Sequence, residues 1–294
     1  MDFMIKYGVI GVDEMAKRET LFSMLENKTC INLEVDYDII KKLLHDGSEF
    51  FRMDSVENVI DEYIIKDWKY NARCLKLEDL EKKLGITKSN LFMSGYSEEK
   101  CLIYFELIYN LVQEIKRKYI DTDENGSIVL KEENLFKIID NIKNIVDELG
   151  YEIQKSNDIY QIIEKDIIAT AVAEKNANIS EKVISYRRFS LKGDIEAKKE
   201  IILKLAEKIE PLRSKFKSSS YNVLMDDVQM LLNNLNLRHN NLDGVHKKDY
   251  VIAMKTNELE KWYDKTYDMI LGIIMLNDYL DSKESLKELK LKIK

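Results

Sequence analysis

The chain has 294 residues, 45% of them hydrophobic and 34% charged, with a net charge of −7. That is enough apolar material for a folded core, which sets aside a disordered chain, and the negative balance argues against a protein that coats nucleic acid through its overall charge. A single proline, Pro211, and ten glycines leave few breakers. Such a chain favours long helices, and the expected class is all-α with at most a minor β element in the N-terminal half.

In chain order, Ile31, Leu33, Val35 and Tyr37 alternate with polar residues and predict one short strand. Helical patterns begin at Ile39 and Val56. Leu77 to Gly85 reads as a short helix stopped by glycine. With the Thr87 to Leu91 stretch it looks like the start of a helix-turn-helix. Ser94-Gly95 would end a recognition helix after about two turns, and no basic cluster follows, so a DNA-binding regulator is the least favoured reading. Ser97 to Tyr119 predicts a strong helix, with Leu102, Phe105, Ile108, Val112 and Ile115 on one face.

Asp121, Asp123, Asn125 and Glu132, with Gly126 and Ile128 between them, fit an EF-hand calcium loop. A polar turn or hairpin through Asn125-Gly126 is the competing reading, and no second loop accompanies it. No other cofactor is indicated. Leu135 to Leu149 is a further helix. Gly150 and Ser156-Asn157 suggest a boundary, giving a mainly helical regulatory or assembly domain over 1–152 and a helical bundle over 153–294.

In the second half, an apolar stripe starts at Ile159, Ile162 and Ile163 and runs to Val172. Ile202, Leu205, Ile209, Leu212 and Phe216 form the next, with a kink expected at Pro211. Leu224, Val228, Leu231 and Leu235 follow. Asn257 reads as the cap of the last helix, with Glu260 completing a capping box, and Leu259, Trp262, Met269, Ile273 and Leu276 face inward. Residues 282–294 read as frayed or solvated. The apolar run from Met269 to Leu276 is too short to span a membrane, no secretory leader is evident, and Cys30, Cys74 and Cys101 form no close pair. These features point to reduced, buried thiols in a cytoplasmic protein without membrane contact.

Extending the stripe 224, 228, 231, 235 by three residues lands on Arg238, an arginine at an inward-facing helix end. Two of the chain's three histidines, His239 and His246, lie close by in sequence. An arginine can hold a phosphate through paired charge-assisted hydrogen bonds, and a histidine can take the proton of a ribose 2′-hydroxyl. The plainer reading is an arginine favoured by the helix dipole and paired to a carboxylate such as Asp243. Arg187 and Arg188 open a basic stretch that reads either as a solvated helix face or as a path for RNA phosphates.

Residues of about 157 to 281 resemble a HEPN domain, the helical bundle of prokaryotic toxins and abortive-infection nucleases. The resemblance rests on Arg238, polar His239, Asn240 and Asn241, then His246, a loop, and a final helix opening at Asn257. It implies a phage-defence or toxin-like endoribonuclease that needs no metal. Arg238, His246 and His239 would be the catalytic residues, Asn240, Asn241, Arg187 and Arg188 the RNA-binding ones, and the protein a homodimer. The gap between Arg238 and His246 is longer than the family's. That favours the alternative, a non-catalytic helical interaction module.

Overall fold

Helical apolar spacing builds nearly every element in the computed structural model, which describes residues 31–47, 54–120, 132–156 and 158–293. The described residues from Leu33 onward belong to one compact unit. Among them the fold is mostly helical, with a single two-stranded sheet.

The first apolar core gathers around α5 (Glu98–Ile115), which ends in a π-helical turn, Lys116–Ile120. The predicted face of α5 is fully buried, and Cys101, Tyr104 and Leu111 are buried as well, so α5 runs through the core rather than over it. Around it pack α1 (Leu33–His45), α2 (Val56–Val59) and α6 (Glu132–Glu148). Where alternation predicted a strand, α1 is a helix. Its buried Tyr37, Ile40 and Leu44 recur at spacings of three and four, and Tyr37 packs on Tyr104 with ring centroids 4.4 Å apart. The Leu77 segment forms α3 (Leu77–Leu84), closed by Gly85 in the left-handed conformation at φ 68°, and then α4 (Lys88–Met93), capped by Thr87. Helix α4 has six residues, with Phe92 and Met93 exposed.

The boundary signals at 150–157 fall on a hairpin. Gly150 follows α6, and β1 (Tyr151–Ser156) pairs antiparallel with β2 (Ile159–Glu164), from Tyr151 opposite Glu164 to Ser156 opposite Ile159. The isoleucines expected to start a helix therefore sit in a strand, and α7 (Ile167–Lys175) begins only after Asp166, which caps it. A helix and a short buried strand share the spacing 159, 162, 163. The free edge of β2 is covered. Asn110 exchanges two 2.8 Å hydrogen bonds with the backbone of Tyr160, Glu106 accepts from the Ile162 amide at 2.7 Å, and the Glu164 amide donates to the Arg187 carbonyl.

The second core comprises α7, α8 (Ala177–Tyr186), α9 (Ile195–Ile209), α10 (Arg213–Lys217) and α11 (Asn222–Asn234) around the long α13 (Thr256–Ile293). The short α12 (Asp249–Ala253) precedes α13. The two cores divide between Ile162 and Ala169, apart from Phe189, which packs in the first. Pro211 breaks the helix as expected: a 3-10 turn, Glu210–Leu212, separates α9 from α10. The last helix starts at Thr256, so Asn257 is not its cap, and Glu260 is spent on the Gly193 amide and Lys198. Its buried apolar side chains are Tyr263, Tyr267, Ile270, Leu271, Ile273 and Ile274; Leu259, Trp262, Met269 and Leu276 lie beside them, partly buried. Residues 282–293 are helical, with their described side chains exposed. No helix among the described residues is long and apolar enough to cross a membrane.

Candidate active site

The Arg238 segment is a structured loop, not a helix end. Helix α11 stops at Asn234, Leu235 and Leu237 remain buried, and between them Asn236 adopts the left-handed conformation at φ 58°. Asparagine tolerates that region better than most residues because its short side chain bonds locally. The Arg238 amide then returns to the Leu232 carbonyl at 2.9 Å.

Two asparagines, Asn236 and Asn241, lock the loop between them. The fully buried Asn241 accepts from the Asn236 amide at 2.6 Å, its own amide donates to the Asn236 side chain at 3.2 Å, and its Nδ2 donates to the His246 carbonyl at 2.8 Å. The Asn241 carbonyl accepts from the Lys248 amide. Asn241 is thus committed to the loop, whereas Asn240 is exposed and folds its side chain onto the Leu242 amide. Asp243, the carboxylate expected to pair with Arg238, instead caps the turn Gly244–His246.

This clamp brings His239 and His246 together. Both are exposed, and their rings stack with centroids 4.5 Å apart. Arg238 is held by other partners: Nη1 donates to Gln229 at 2.6 Å and Nη2 to Glu210 at 2.7 Å, leaving its side chain 26% exposed. Bonds from Arg213, and then from Arg238, hold the Glu210 carboxyl below the usual range against the opposing effect of burial. Leu242, Val245, Tyr250 and Ile252 are exposed in the same loop and in α12, and Val245 is 98% exposed.

Arg187 and Arg188 do not join this loop. Arg187 is buried, bonded to Glu152, Thr170 and the Glu164 carbonyl, and Arg188 reaches Glu106 at 3.5 Å. Their partners belong to the hairpin, α7 and α5. They line a cleft of about 520 Å³ between the end of β2 and α13 that sequence reasoning missed. One of its lining residues, Lys198, is buried, with Glu260 and Asp264 each at 2.8 Å. Burial opposes the charge on Lys198, but the bonds to Asp264 and Glu260 raise its pKa overall. Tyr186 also donates to Asp264 and stacks on Tyr267 at 4.0 Å. At the rim, burial pushes the Asp268 carboxyl up to about 6, helped by the charges of Asp166 and Asp264.

Two of the missed residues had a signal in the sequence. Gln229 lies beside the buried Met225, Val228 and Leu232 of α11, and Lys198 lies one turn before Ile202 on the buried face of α9. Polar residues at inward spacing require partners. Nothing comparable marked Glu210.

Asp121, Asp123 and Asn125 lie outside the described residues, as does Cys30; Glu132 opens α6. Among the described residues no group of three or more metal-binding side chains occurs, and Cys74 and Cys101 are buried and free. Comparison with family models, curated proteins and solved structures finds no match.

Proposed function

We propose that this chain is a HEPN-type endoribonuclease of a phage-defence or toxin-like response, cleaving RNA without a metal and acting as a homodimer. The observation that supports it is the exposed, stacked pair His239 and His246 in the loop that begins at Arg238. In the proposed reaction one imidazole takes the ribose 2′-hydroxyl proton and the 2′-oxygen attacks phosphorus. The bond from phosphorus to the 5′-oxygen breaks, and a protonated imidazole returns a proton to that oxygen. The products are a 2′,3′-cyclic phosphate and a 5′-hydroxyl. Arg238 stabilises the negative charge on the non-bridging phosphate oxygens. To do so it exchanges Glu210 for the phosphate. The exposed Leu242, Val245, Tyr250 and Ile252 suit contact with a second copy.

The test uses EDTA-treated protein and chemical mapping of RNA ends. Arg238→Ala abolishes cleavage, and His239→Ala and His246→Ala each lose roughly 100- to 10,000-fold where the ring moves a proton. Glu210→Gln, which leaves the guanidinium less tightly held, raises cleavage. Activity that persists in Arg238→Ala, or that requires magnesium, refutes the mechanism. One observation favours a second reading, a non-catalytic helical interaction module: Glu210 and Gln229 already occupy Arg238. Wild-type protein and Glu210→Gln that both leave every RNA intact decide for the module.

A further inference from the structure

Helix α13 carries two apolar stripes: the first is buried in the second core, and the second stays exposed, with Tyr279 near its start edge-on to Tyr221 at 6.4 Å. At about 100° per residue, the buried Tyr263, Tyr267, Ile270 and Ile274 keep to one line facing the second core. Continued along the helix, that line meets Asn277, Asp281 and Ser285, and the first two hold Lys215. A second line begins at Met275 and runs through Tyr279, Ser282, Leu286, Leu289 and Ile293, with spacings of four, three, four, three and four. Its centre lies about 110° around the axis from the first and its width is about 80°. Every one of these six is exposed, Leu289 at 51% and Ile293 at 75%. From Ser282 to Ile293 every described side chain is exposed, so this part of the helix has left the body.

We infer that residues 275–293 form a parallel two-stranded coiled coil with a second copy of this chain, Met275, Ser282 and Leu289 alternating with Tyr279, Leu286 and Ile293 along the seam. Alternating steps of three and four are the heptad pattern whose apolar positions meet a partner helix. The part that stands clear of the body, 282–293, has a length at which a helix is marginal in water without a partner. Between Ser282 and Ile293 the exposed Leu291 is the one apolar side chain off the stripe, and a lipid surface takes a wider apolar face than the stripe offers. Charge sets the direction. In parallel register Asp278, whose contact with Lys175 is a loose 4.0 Å, flanks the seam beside Lys283 of the other copy. In antiparallel register Lys283 would face Lys290.

This inference does not depend on RNA chemistry, and its test separates it from the dimer proposed through the Arg238 loop. Light scattering at micromolar concentration should give twice the chain mass for wild type. It should give the single-chain mass for Leu286→Asp/Leu289→Asp, with the melting of the body unchanged by circular dichroism. Under mild oxidation Leu289→Cys should link two chains while wild type and Lys287→Cys do not. A monomeric wild type overturns the inference, and so does a monomer that sediments with phosphatidylglycerol vesicles. A dimer that survives Leu286→Asp/Leu289→Asp overturns it in favour of pairing through the loop, which loss of that dimer in Val245→Asp would locate. Failure of Leu289→Cys to link overturns the parallel arrangement.

Discussion

Asn241→Ala is the sharpest probe of the loop that holds the two histidines. The substitution removes a buried amide that accepts from the Asn236 N–H at 2.6 Å and donates to the His246 carbonyl at 2.8 Å. Each stranded buried group costs about 1–3 kcal/mol, so the pair costs roughly 2–6 kcal/mol where the site stays closed. If the loop opens to water, the global cost falls, but the stacking of His239 on His246 is lost because the His246 carbonyl is no longer tied. Urea unfolding gives the first quantity and amide hydrogen exchange at 236 and 248 the second. Asn240→Ala is the control, since Asn240 is exposed and holds only the Leu242 amide; its cost should be a few tenths to about 1 kcal/mol. The reasoning is refuted if Asn241→Ala and Asn240→Ala cost the same and neither changes exchange at those amides.

The cleft around Lys198 carries two further expected outcomes. Lys198→Met should lower stability by about 2 kcal/mol in urea unfolding, less than the roughly 3–5 kcal/mol of a fully buried pair because Asp264 retains solvent access. Asp268 has a folded-state pKa of about 6, above its unfolded value of about 4. The folded state therefore binds that proton more tightly, stability from this group grows as pH falls through that window, and its charge is unfavourable above it. Asp268→Asn should raise the melting temperature at pH 7.5, modestly because the carboxyl is partly open to water, and the gain should vanish by pH 4. An equal gain at both pH values counts against the assignment.

Where a stripe had one reading, the sequence showed the helix: Leu102 through Ile115 in α5 and Ile202 through Phe216 across the Pro211 break lie as spaced, with Leu212 only partly buried. Where two periods fit the same residues, tertiary context decided. The alternation Ile31 to Tyr37 lost to the helical spacing of Tyr37, Ile40 and Leu44, and Ile159 to Ile163 became a strand because α5 supplies hydrogen bonds to its edge. The candidate site was legible as composition, with two histidines and an arginine in one polar stretch. Its geometry was not. The turn at Asn236 and the bonds within the loop involve positions five apart, and Glu210, which takes Arg238, lies 28 residues upstream. No local pattern encodes such a pairing.

The covering of β2 also bears on how this protein would fail. A two-stranded ribbon with an open edge presents unpaired amides and carbonyls that can template another chain. Here a helix side chain, Asn110, imitates a neighbouring strand at Tyr160, and Glu106 does the same for the Ile162 amide. Variants at these two positions would therefore be lost to intermolecular strand addition, accumulating as insoluble material at concentrations where other variants of equal stability stay dispersed.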